Sequence, residues 1–227
     1  MTSTAPSPSS GPMPHPVHRA GRIIEIDDDV AEGAAWLAAR DPRFAAALDR
    51  VGPLPLRRRT DGFRALMGAI VSQQVSVAAA AAILGRCEAA GLADPAEVLA
   101  ADDETLRACG LSRQKIRYLR ALAAHGIDYD ALRQAGTDEV VAVLTEVPGI
   151  GRWTAEIYAM FSLGHADVFA PNDLALQEGA RMLLGLEDRP KERAMREIAE
   201  DWTPWRAVAA RLLWAYYAAE KKREGIR

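Results

Sequence analysis

Residues 144–176 read LTEVPGIGRWTAEIYAMFSLGHADVFAPNDLAL, and this stretch decides the fold prediction. Apolar residues leading into it recur at helical spacing, which predicts a buried helix face that ends at Pro148 and Gly149. Gly151 and Arg152 open a second helix. The apolar face of this second helix contains Trp153, Ile157 and Phe161. The stretch therefore predicts two helices joined by the short turn Pro-Gly-Ile-Gly.

The turn between these helices predicts a tight hairpin with Ile150 as its buried anchor. Glycine permits positive φ angles and close approach by another backbone. The amides around Gly149 and Gly151, together with those of the first turn of the second helix, are expected to point outward and to bind a phosphate oxygen. Backbone contacts of this kind hold DNA without reading its sequence.

A single acidic residue follows the hairpin at the expected start of the next helix. Asp173 comes directly after Pro171 and Asn172. In one interpretation Asn172 or Asp173 is an ordinary N-cap that accepts backbone hydrogen bonds. In the other, Asp173 is a functional carboxylate, and its spacing from the hairpin favours this second interpretation.

These motifs resemble the helix-hairpin-helix–Gly/Pro–Asp superfamily of DNA glycosylases. The resemblance to the superfamily rests on residues 147–151 (VPGIG), 154–155 (TA), 168–169 (VF) and 171–173 (PND). Within it, residues 151–155 (GRWTA), the run Trp202-x-Pro204-Trp205-Arg206 and Trp214 are similar to the alkylbase branch, 3-methyladenine DNA glycosylase II. The resemblance extends from Thr60 to Tyr217 and implies an all-α fold with two helical lobes and a DNA-binding cleft between them.

The resemblance implies a monofunctional DNA glycosylase that removes alkylated purines, such as 3-methyladenine and 7-methylguanine, from double-stranded DNA and so starts base excision repair. Asp173 would be the catalytic carboxylate that stabilises the sugar cation. Bifunctional relatives carry a lysine where this chain has Trp153, so a covalent lysine route is not expected. Two other interpretations stay open: a non-catalytic hairpin module that binds DNA, and a glycosylase for another class of lesion.

The resemblance also implies a set of site residues. The base pocket would contain Trp153, Trp214, Ile157 and Leu174, and the DNA-binding hairpin would contain Gly149, Ile150, Gly151, Arg152 and Thr154. Gln74, with Gln73 beside it, would fill the gap left by the flipped nucleotide. The backbone carbonyls of Val147 and Ile150 can hold a structural monovalent cation, and no cofactor is expected to be required. Alternatively, Trp153 is a plain core aromatic and the two glutamines are a polar helix end.

Two positions depart from the pattern of the branch. Leu174 and Ala215 stand where some alkylbase relatives have tyrosine. We therefore expect a roomier and less aromatic pocket, which would discriminate weakly by shape. Aromatic faces attract a cationic base, so cationic alkylpurines are expected to be better substrates than neutral lesions.

The overall charge argues against a protein that binds nucleic acid by charge alone. The formal net charge is −3 and the pI is about 5.9. Local basic patches matter more than the total charge. Such patches occur at residues 57–59, within residues 107–120 and at the end of the chain, in residues 221–227. Each of them is either a DNA contact or an ordinary solvated face.

The chain has only two cysteines, Cys87 and Cys109, and both lie in apolar helical contexts. An iron–sulfur cluster held by one chain needs four, so the cluster of some relatives is excluded, and a disulfide framework is not expected. No apolar run reaches transmembrane length, and the N-terminus lacks a hydrophobic signal core. A cytoplasmic monomer is expected, associated with the nucleoid when bound to DNA and with no membrane partner.

The remaining sequence has the helical period throughout. Residues 1–20 are rich in Pro, Ser and Thr and are expected to be a disordered tail. One helical lobe is expected from residues 21–60 plus 160–227, and the other from residues 61–159. A short form of the alkylbase branch, without an N-terminal β-domain, is expected. The helix starts predicted from capping residues are Thr60 or Asp61, Asp94 with Pro95, Ser112, and Thr203 with Pro204.

Overall fold

The computed structural model describes residues 21–224, and the predicted tail at residues 1–20 and Arg227 of the basic end lie outside the described residues. Within this range the chain forms α-helices, and β pairing is limited to one isolated antiparallel bridge between Ile23 and His165. The all-α prediction is confirmed. The helices are α1 (Asp27–Arg40), α2 (Pro42–Val51), α3 (Phe63–Ser72), α4 (Val77–Ala89), α5 (Pro95–Ala100), α6 (Asp103–Ala108), α7 (Arg113–Ala124), α8 (Tyr129–Gln134), α9 (Thr137–Thr145), α10 (Arg152–Tyr158), α11 (Leu174–Leu184), α12 (Glu192–Glu200) and α13 (Arg206–Glu224).

The long helix α13 is the centre of one group of helices. It packs against α1, α2 and α11, and its residues from Ala207 to Leu213 are almost completely buried. A Cβ added at Gly179 of α11 would lie 2.8 Å from the carbonyl oxygen of Leu213, so α11 and α13 touch along their backbones. Both ends of the chain therefore contribute to this group.

A second group of helices forms around α3. This helix packs against α4, α7 and α10, while α7 also contacts α5 and α6, and α10 contacts α9. The apolar face of α3 contains Phe63, Leu66, Met67, Ile70 and Val71, which are all buried, as the helical spacing predicts. The exact division into lobes at residues 60 and 160 stays a prediction.

The first described residues tie the chain to the loop that precedes Asp173. The amide of Ile24 donates to the carbonyl oxygen of Gly164 at 2.7 Å, and the amide of Ala166 donates to the carbonyl oxygen of Arg22 at 3.0 Å. The two hydrogen bonds lie on either side of the bridge between Ile23 and His165, so the start of this loop is held at three successive residues, 164 to 166.

Two of the predicted helix starts are confirmed. Asp94 and Glu97 form the expected capping box ahead of α5, with Pro95 in the first turn. Ser112 caps α7, and its hydroxyl accepts a hydrogen bond from the amide of Lys115. In both cases the capping signal lies within four residues, so local sequence is enough to read it.

The other two predicted starts are wrong. Helix α3 is preceded by Gly62, because the hydroxyl of Tyr158 accepts a hydrogen bond from the amide of Gly62 at 2.8 Å, while Asp61 pairs with Arg133. Thr203 does not cap α13, which begins at Arg206 after a cis peptide bond between Thr203 and Pro204. The amide of Thr203 instead donates to the carbonyl oxygen of Glu200 and extends the end of α12.

Helix α10 continues directly into a short π-helical turn, Ala159–Leu163, that the sequence pattern does not predict. All five residues of this turn are buried, and Gly164 ends it with a φ of +82°. The turn places the ring of Phe161 against the indole of Trp214, with ring centroids 5.7 Å apart. Helix α10 and helix α13 therefore meet at this aromatic pair.

Among the described residues, no helix is both long enough and apolar enough to span a bilayer.

Candidate functional site

The predicted hairpin is present and is anchored as expected. Helix α9 ends at Thr145, and Val147 and Ile150 are buried at 1% and 4% exposure. The amide of Ile150 donates to the carbonyl oxygen of Val147 at 3.0 Å, which closes the turn. Gly149 and Gly151 flank the buried Ile150 at the surface of the turn.

The two glycines of the hairpin have different roles. Gly149 has a φ of +94°, and a Cβ added there would lie 2.4 Å from the ring of Tyr118. Gly151 has a φ of −85°, and the space beside it is open. The expectation of a positive φ therefore holds for Gly149 only. Gly151 leaves a free approach to the start of α10, where the first backbone amides of a helix face outward.

Arg152 is exposed, as a DNA-binding residue should be, but it is already paired. Its Nε lies 3.0 Å from Oε1 of Glu156, whose side chain is almost completely buried. Arg196 of α12 lies 3.6 Å from the same carboxylate. Burial raises the pKa of Glu156, and the two guanidinium groups oppose that rise. The pair thus connects the start of α10 with α12, and part of the charge of Arg152 is neutralised within the protein.

Asp173 is the N-cap of α11, and capping does not exclude a functional role, because only Oδ1 of the carboxylate accepts the capping hydrogen bonds. Its Oδ1 accepts hydrogen bonds from the amides of Ala175 at 2.9 Å and Leu176 at 3.0 Å. The indole N–H of Trp214 reaches the same oxygen at 3.2 Å, and the indole N–H of Trp153 reaches Oδ2 at 3.0 Å. One carboxylate therefore receives four N–H donors, from the start of α11, from α13 and from α10.

An open cavity of about 580 Å³ lies between α3 and α10. Its α3 wall is formed by the small residues Ala65, Gly68 and Ala69, and its α10 wall includes Trp153 and Ile157. The volume is in the range of small-ligand sites and has room for a nucleobase. Trp153 belongs to both features, because its ring lines the cavity while its indole N–H binds Asp173.

The structure brings together only part of the predicted base pocket. Trp153 and Ile157 line the cavity, and Thr154, predicted as a DNA contact, lines it as well. Trp214 lies one layer away, between Asp173 and Phe161. Leu174 is 61% exposed and is not part of the cavity wall.

The two glutamines at the end of α3 are not equivalent. Gln73 is half-buried, and its Nε2 donates to the carbonyl oxygen of Gly149 at 2.8 Å, which ties α3 to the hairpin. Gln74 is exposed and has a φ of +58°. Left-handed backbone in a residue other than glycine is uncommon and often marks a functional position. Of the two glutamines, Gln74 is the one whose side chain faces solvent.

No group of three or more His, Cys, Asp or Glu side chains that could hold a metal occurs in residues 21–224. The carbonyl oxygen of Val147 accepts one hydrogen bond, from Ile150. A carbonyl oxygen has two lone pairs, so this bond leaves capacity for a cation. The monovalent cation site at the carbonyl oxygens of Val147 and Ile150 stays a prediction.

Neither Arg59 nor Tyr158 was predicted to belong to the base pocket, but both line the cavity. Arg59 belongs to the basic patch at residues 57–59, and its guanidinium lies 5.4 Å from the ring centroid of Phe161. Burial raises the pKa of Tyr158 to about 12. The run of basic residues could have drawn attention to Arg59. The orientation of its side chain depends on Phe161, about a hundred residues further along the chain.

Comparison with known proteins agrees with this geometry. The family model for HhH-GPD superfamily base excision DNA repair proteins matches residues 67–204. DNA-3-methyladenine glycosylase 1 of Schizosaccharomyces pombe is 30% identical over 84% of this chain and 89% of its own length. The crystal structure of a DNA-3-methyladenine glycosidase from Bacillus halodurans matches with a TM-score of 0.75 at 34% identity, over 86% of this chain and 91% of that one.

A further solved structure was determined with DNA. It is the S. pombe 3-methyladenine DNA glycosylase in complex with abasic DNA, which matches with a TM-score of 0.70 at 30% identity, over 81% of this chain and 95% of that one. The family match includes the hairpin, Asp173 and most of α3. The chain therefore belongs to the HhH-GPD superfamily of base excision DNA repair proteins.

Proposed function

We propose that this protein is a monofunctional DNA glycosylase that flips alkylated purines, such as 3-methyladenine and 7-methylguanine, out of duplex DNA and hydrolyses their N-glycosidic bond. This reaction starts base excision repair. The observation that carries the proposal is the carboxylate of Asp173, which is held by four N–H donors, one of them from Trp153 in the wall of the cavity. A module that only binds DNA needs neither the carboxylate nor the cavity.

In the proposed mechanism the damaged nucleotide is flipped out of the base stack, because the enzyme cannot reach its glycosidic bond inside the duplex. Cleavage of the glycosidic bond gives an oxocarbenium-like sugar, which a nearby carboxylate stabilises. Asp173 supplies that charge and orients the attacking water. N-alkylated purines with a positive charge leave readily, and the face of Trp153 attracts a cationic base.

The hairpin is proposed to bind a phosphate of the same strand. Its backbone amides near Gly151 and at the start of α10 are accessible, since nothing lies within 4 Å of an added Cβ at Gly151. A monovalent cation bound by the carbonyl oxygens of Val147 and Ile150 would add positive charge beside that phosphate. No cofactor is required for the hydrolysis.

Gln74 is proposed to fill the gap that the flipped nucleotide leaves, because Gln73 already binds the hairpin. The duplex is proposed to lie between the lobe formed by residues 21–60 plus 160–227 and the lobe formed by residues 61–159. The bond from Trp153 to Asp173 joins these two lobes. The protein is proposed to act as a monomer on chromosomal DNA in the cytoplasm.

The test is base release from duplexes that carry single lesions, measured by chromatography of the free base, with strand breakage scored before and after alkali. The wild-type protein is expected to release alkylpurines and to leave strands that break only after alkali. Asp173→Asn, which keeps the capping oxygen, is expected to bind the same duplexes and to release almost no base. Binding without release by the wild type would instead identify a non-catalytic module, and a preference for uracil or oxidised guanine would identify another lesion class.

A further inference from the structure

Two arginines line the cavity, and their surroundings differ. Arg64 of α3 pairs with Glu88 of α4, with Nη2 and Oε1 2.5 Å apart. Arg59 lines the same cavity, and within residues 21–224 no carboxylate pairs with it. Arg64 therefore already has a carboxylate partner, whereas the guanidinium of Arg59 remains available to a ligand.

The guanidinium of Arg59 is held in place although it is exposed. Its own amide donates to the carbonyl oxygen of Phe161 at 2.9 Å, and its guanidinium carbon lies 5.4 Å from the centroid of the Phe161 ring. The same ring packs against Trp214, which binds Asp173. Arg59 is thus connected to the catalytic carboxylate by a short chain of packed aromatic rings.

A second cation, Arg211, lies outside the cavity wall but contacts the same Phe161 ring as Arg59. Arg211 is 1% exposed, and its guanidinium carbon lies 4.9 Å from the centroid of Phe161. It donates to the carbonyl oxygens of Leu56 and Ala207, and burial lowers its pKa to about 10. Within the described residues no carboxylate pairs with it. A base that enters the cavity therefore meets the positive charge of Arg59, and the buried charge of Arg211 lies behind it on the same side.

Positive charge on one side favours a base edge that accepts hydrogen bonds. A guanidinium has five N–H donors and no acceptor. Guanine presents the keto oxygen O6, which stays an acceptor after methylation at N3 or N7, whereas adenine presents an amino group at the same place. A donor that faces a donor is unfavourable, so Arg59 distinguishes the two purines by this one atom.

We propose that Arg59 is a specificity-determining residue, which hydrogen-bonds the 6-keto oxygen of the flipped base and so raises the release of methylguanines relative to methyladenines. This inference rests on the proposed glycosylase function. The cationic ring of the alkylated base would face Trp153, while its keto edge would face Arg59. For a base methylated at N3, which lies on the opposite side of the ring from O6, the two cationic side chains then disfavour the orientation that points the methylated edge toward them.

Methylated DNA allows a direct test, because it carries 3-methylguanine, 7-methylguanine and 3-methyladenine in one substrate. The readout is the ratio of the release constants of 3-methylguanine and 3-methyladenine, which carry the methyl group at the same ring position. Arg59→Met should lower this ratio about tenfold, as expected for the loss of a specific arginine–base contact. Arg64→Met is the matched control, since it removes an arginine from the same cavity and should leave the ratio unchanged.

Arg59→Lys keeps the charge but loses the planar fork, so its ratio should lie between those of the wild type and Arg59→Met. It also decides the question if Arg59→Met fails to fold. An unchanged ratio, or an equal loss for both bases in folded protein, would overturn the inference and leave the proposed function intact. If the wild-type protein released none of the three bases, the proposed function itself would fail.

Discussion

The indole N–H of Trp153 donates a hydrogen bond to Oδ2 of Asp173 over 3.0 Å, and this bond joins the hairpin helix to the residue that caps α11. Trp153 thus has two separable properties, a flat face and a donor. Trp153→Phe keeps a flat aromatic face and removes the indole N–H that donates to Asp173. We expect single-turnover base release to fall about tenfold, because one hydrogen bond to a charged group contributes about 1.5 kcal/mol.

The control for this variant is DNA affinity, which should not change because the hairpin amides are untouched. Trp153→Ala removes both properties and should be slower than Trp153→Phe. Release by Trp153→Phe at the wild-type rate would mean that the bond does not orient the carboxylate during catalysis.

The position of Trp153 also predicts the products. A glycosylase with lyase activity forms a Schiff base between an amine and the sugar, and borohydride reduces that link to a stable adduct. By the resemblance to DNA glycosylases, Trp153 corresponds to the position where bifunctional relatives have that amine. We expect no adduct on denaturing gels when borohydride is added during turnover. A trapped protein–DNA species that depends on the lesion would contradict the monofunctional mechanism.

The two hairpin glycines should respond differently to alanine. Gly149→Ala places a Cβ on a φ of +94° and against the ring of Tyr118, so the free energy of unfolding should fall by at least ~2 kcal/mol. Gly151→Ala meets open space at an ordinary φ and should leave stability almost unchanged. Its methyl group instead obstructs the phosphate, so affinity should fall by a similar factor for every duplex.

Denaturant titration and DNA-binding measurements on both variants separate these effects. If Gly151→Ala lost affinity for one lesion or one sequence only, the hairpin would not be a backbone contact. A Gly149→Ala variant as stable as the wild type would show that Tyr118 moves aside.

Stability should depend on pH through His165. The side chain is 1% exposed, its Nδ1 lies 2.8 Å from Oγ1 of Thr137, and burial lowers its pKa from 6.5 to about 4. Below pH 6.5 the unfolded chain binds a proton that the folded protein does not bind. The free energy of unfolding should therefore fall as the pH decreases from 6.5 towards 4, by up to ~3 kcal/mol.

The matched measurement is the same titration on His165→Gln, whose amide can still bind Thr137. Denaturant midpoints at several pH values give the slope for each protein, and other acidic groups contribute equally to both. Between pH 6.5 and 4 the stability of the His165→Gln variant should therefore depend less on pH than that of the wild type. Parallel curves for the two proteins would show that His165 titrates normally in the folded state.

Local motifs were sufficient to predict the main parts of the site. The turn around Ile150 and the carboxylate of Asp173 are encoded in short runs whose backbone consequences are fixed by glycine, proline and capping chemistry. The π-helical turn at residues 159–163 and the role proposed for Arg59 were not predicted. Both depend on Phe161, whose neighbours Arg59 and Trp214 lie far away in the sequence.

Contacts between distant residues also explain why the predicted start of α3 is wrong. Thr60 and Asp61 have good capping side chains, and local chemistry favours them. Tyr158 instead satisfies the amide of Gly62, and Asp61 binds Arg133, so two contacts from distant residues decide where the helix begins. The periodicity of apolar residues shows which side chains face the core, but it does not show which distant residues they will contact there.

The packing of α1 and α2 against α13 has a consequence for synthesis on the ribosome. The first two helices need a surface that is made much later, because α13 starts at Arg206, more than 150 residues after α2 ends at Val51. At 5–20 residues per second, roughly 10–30 s pass between the two events. During that time the apolar faces of α1 and α2 have no partner from α13, so the nascent chain is open to chaperones and to aggregation, whereas the helices around α3 can already assemble.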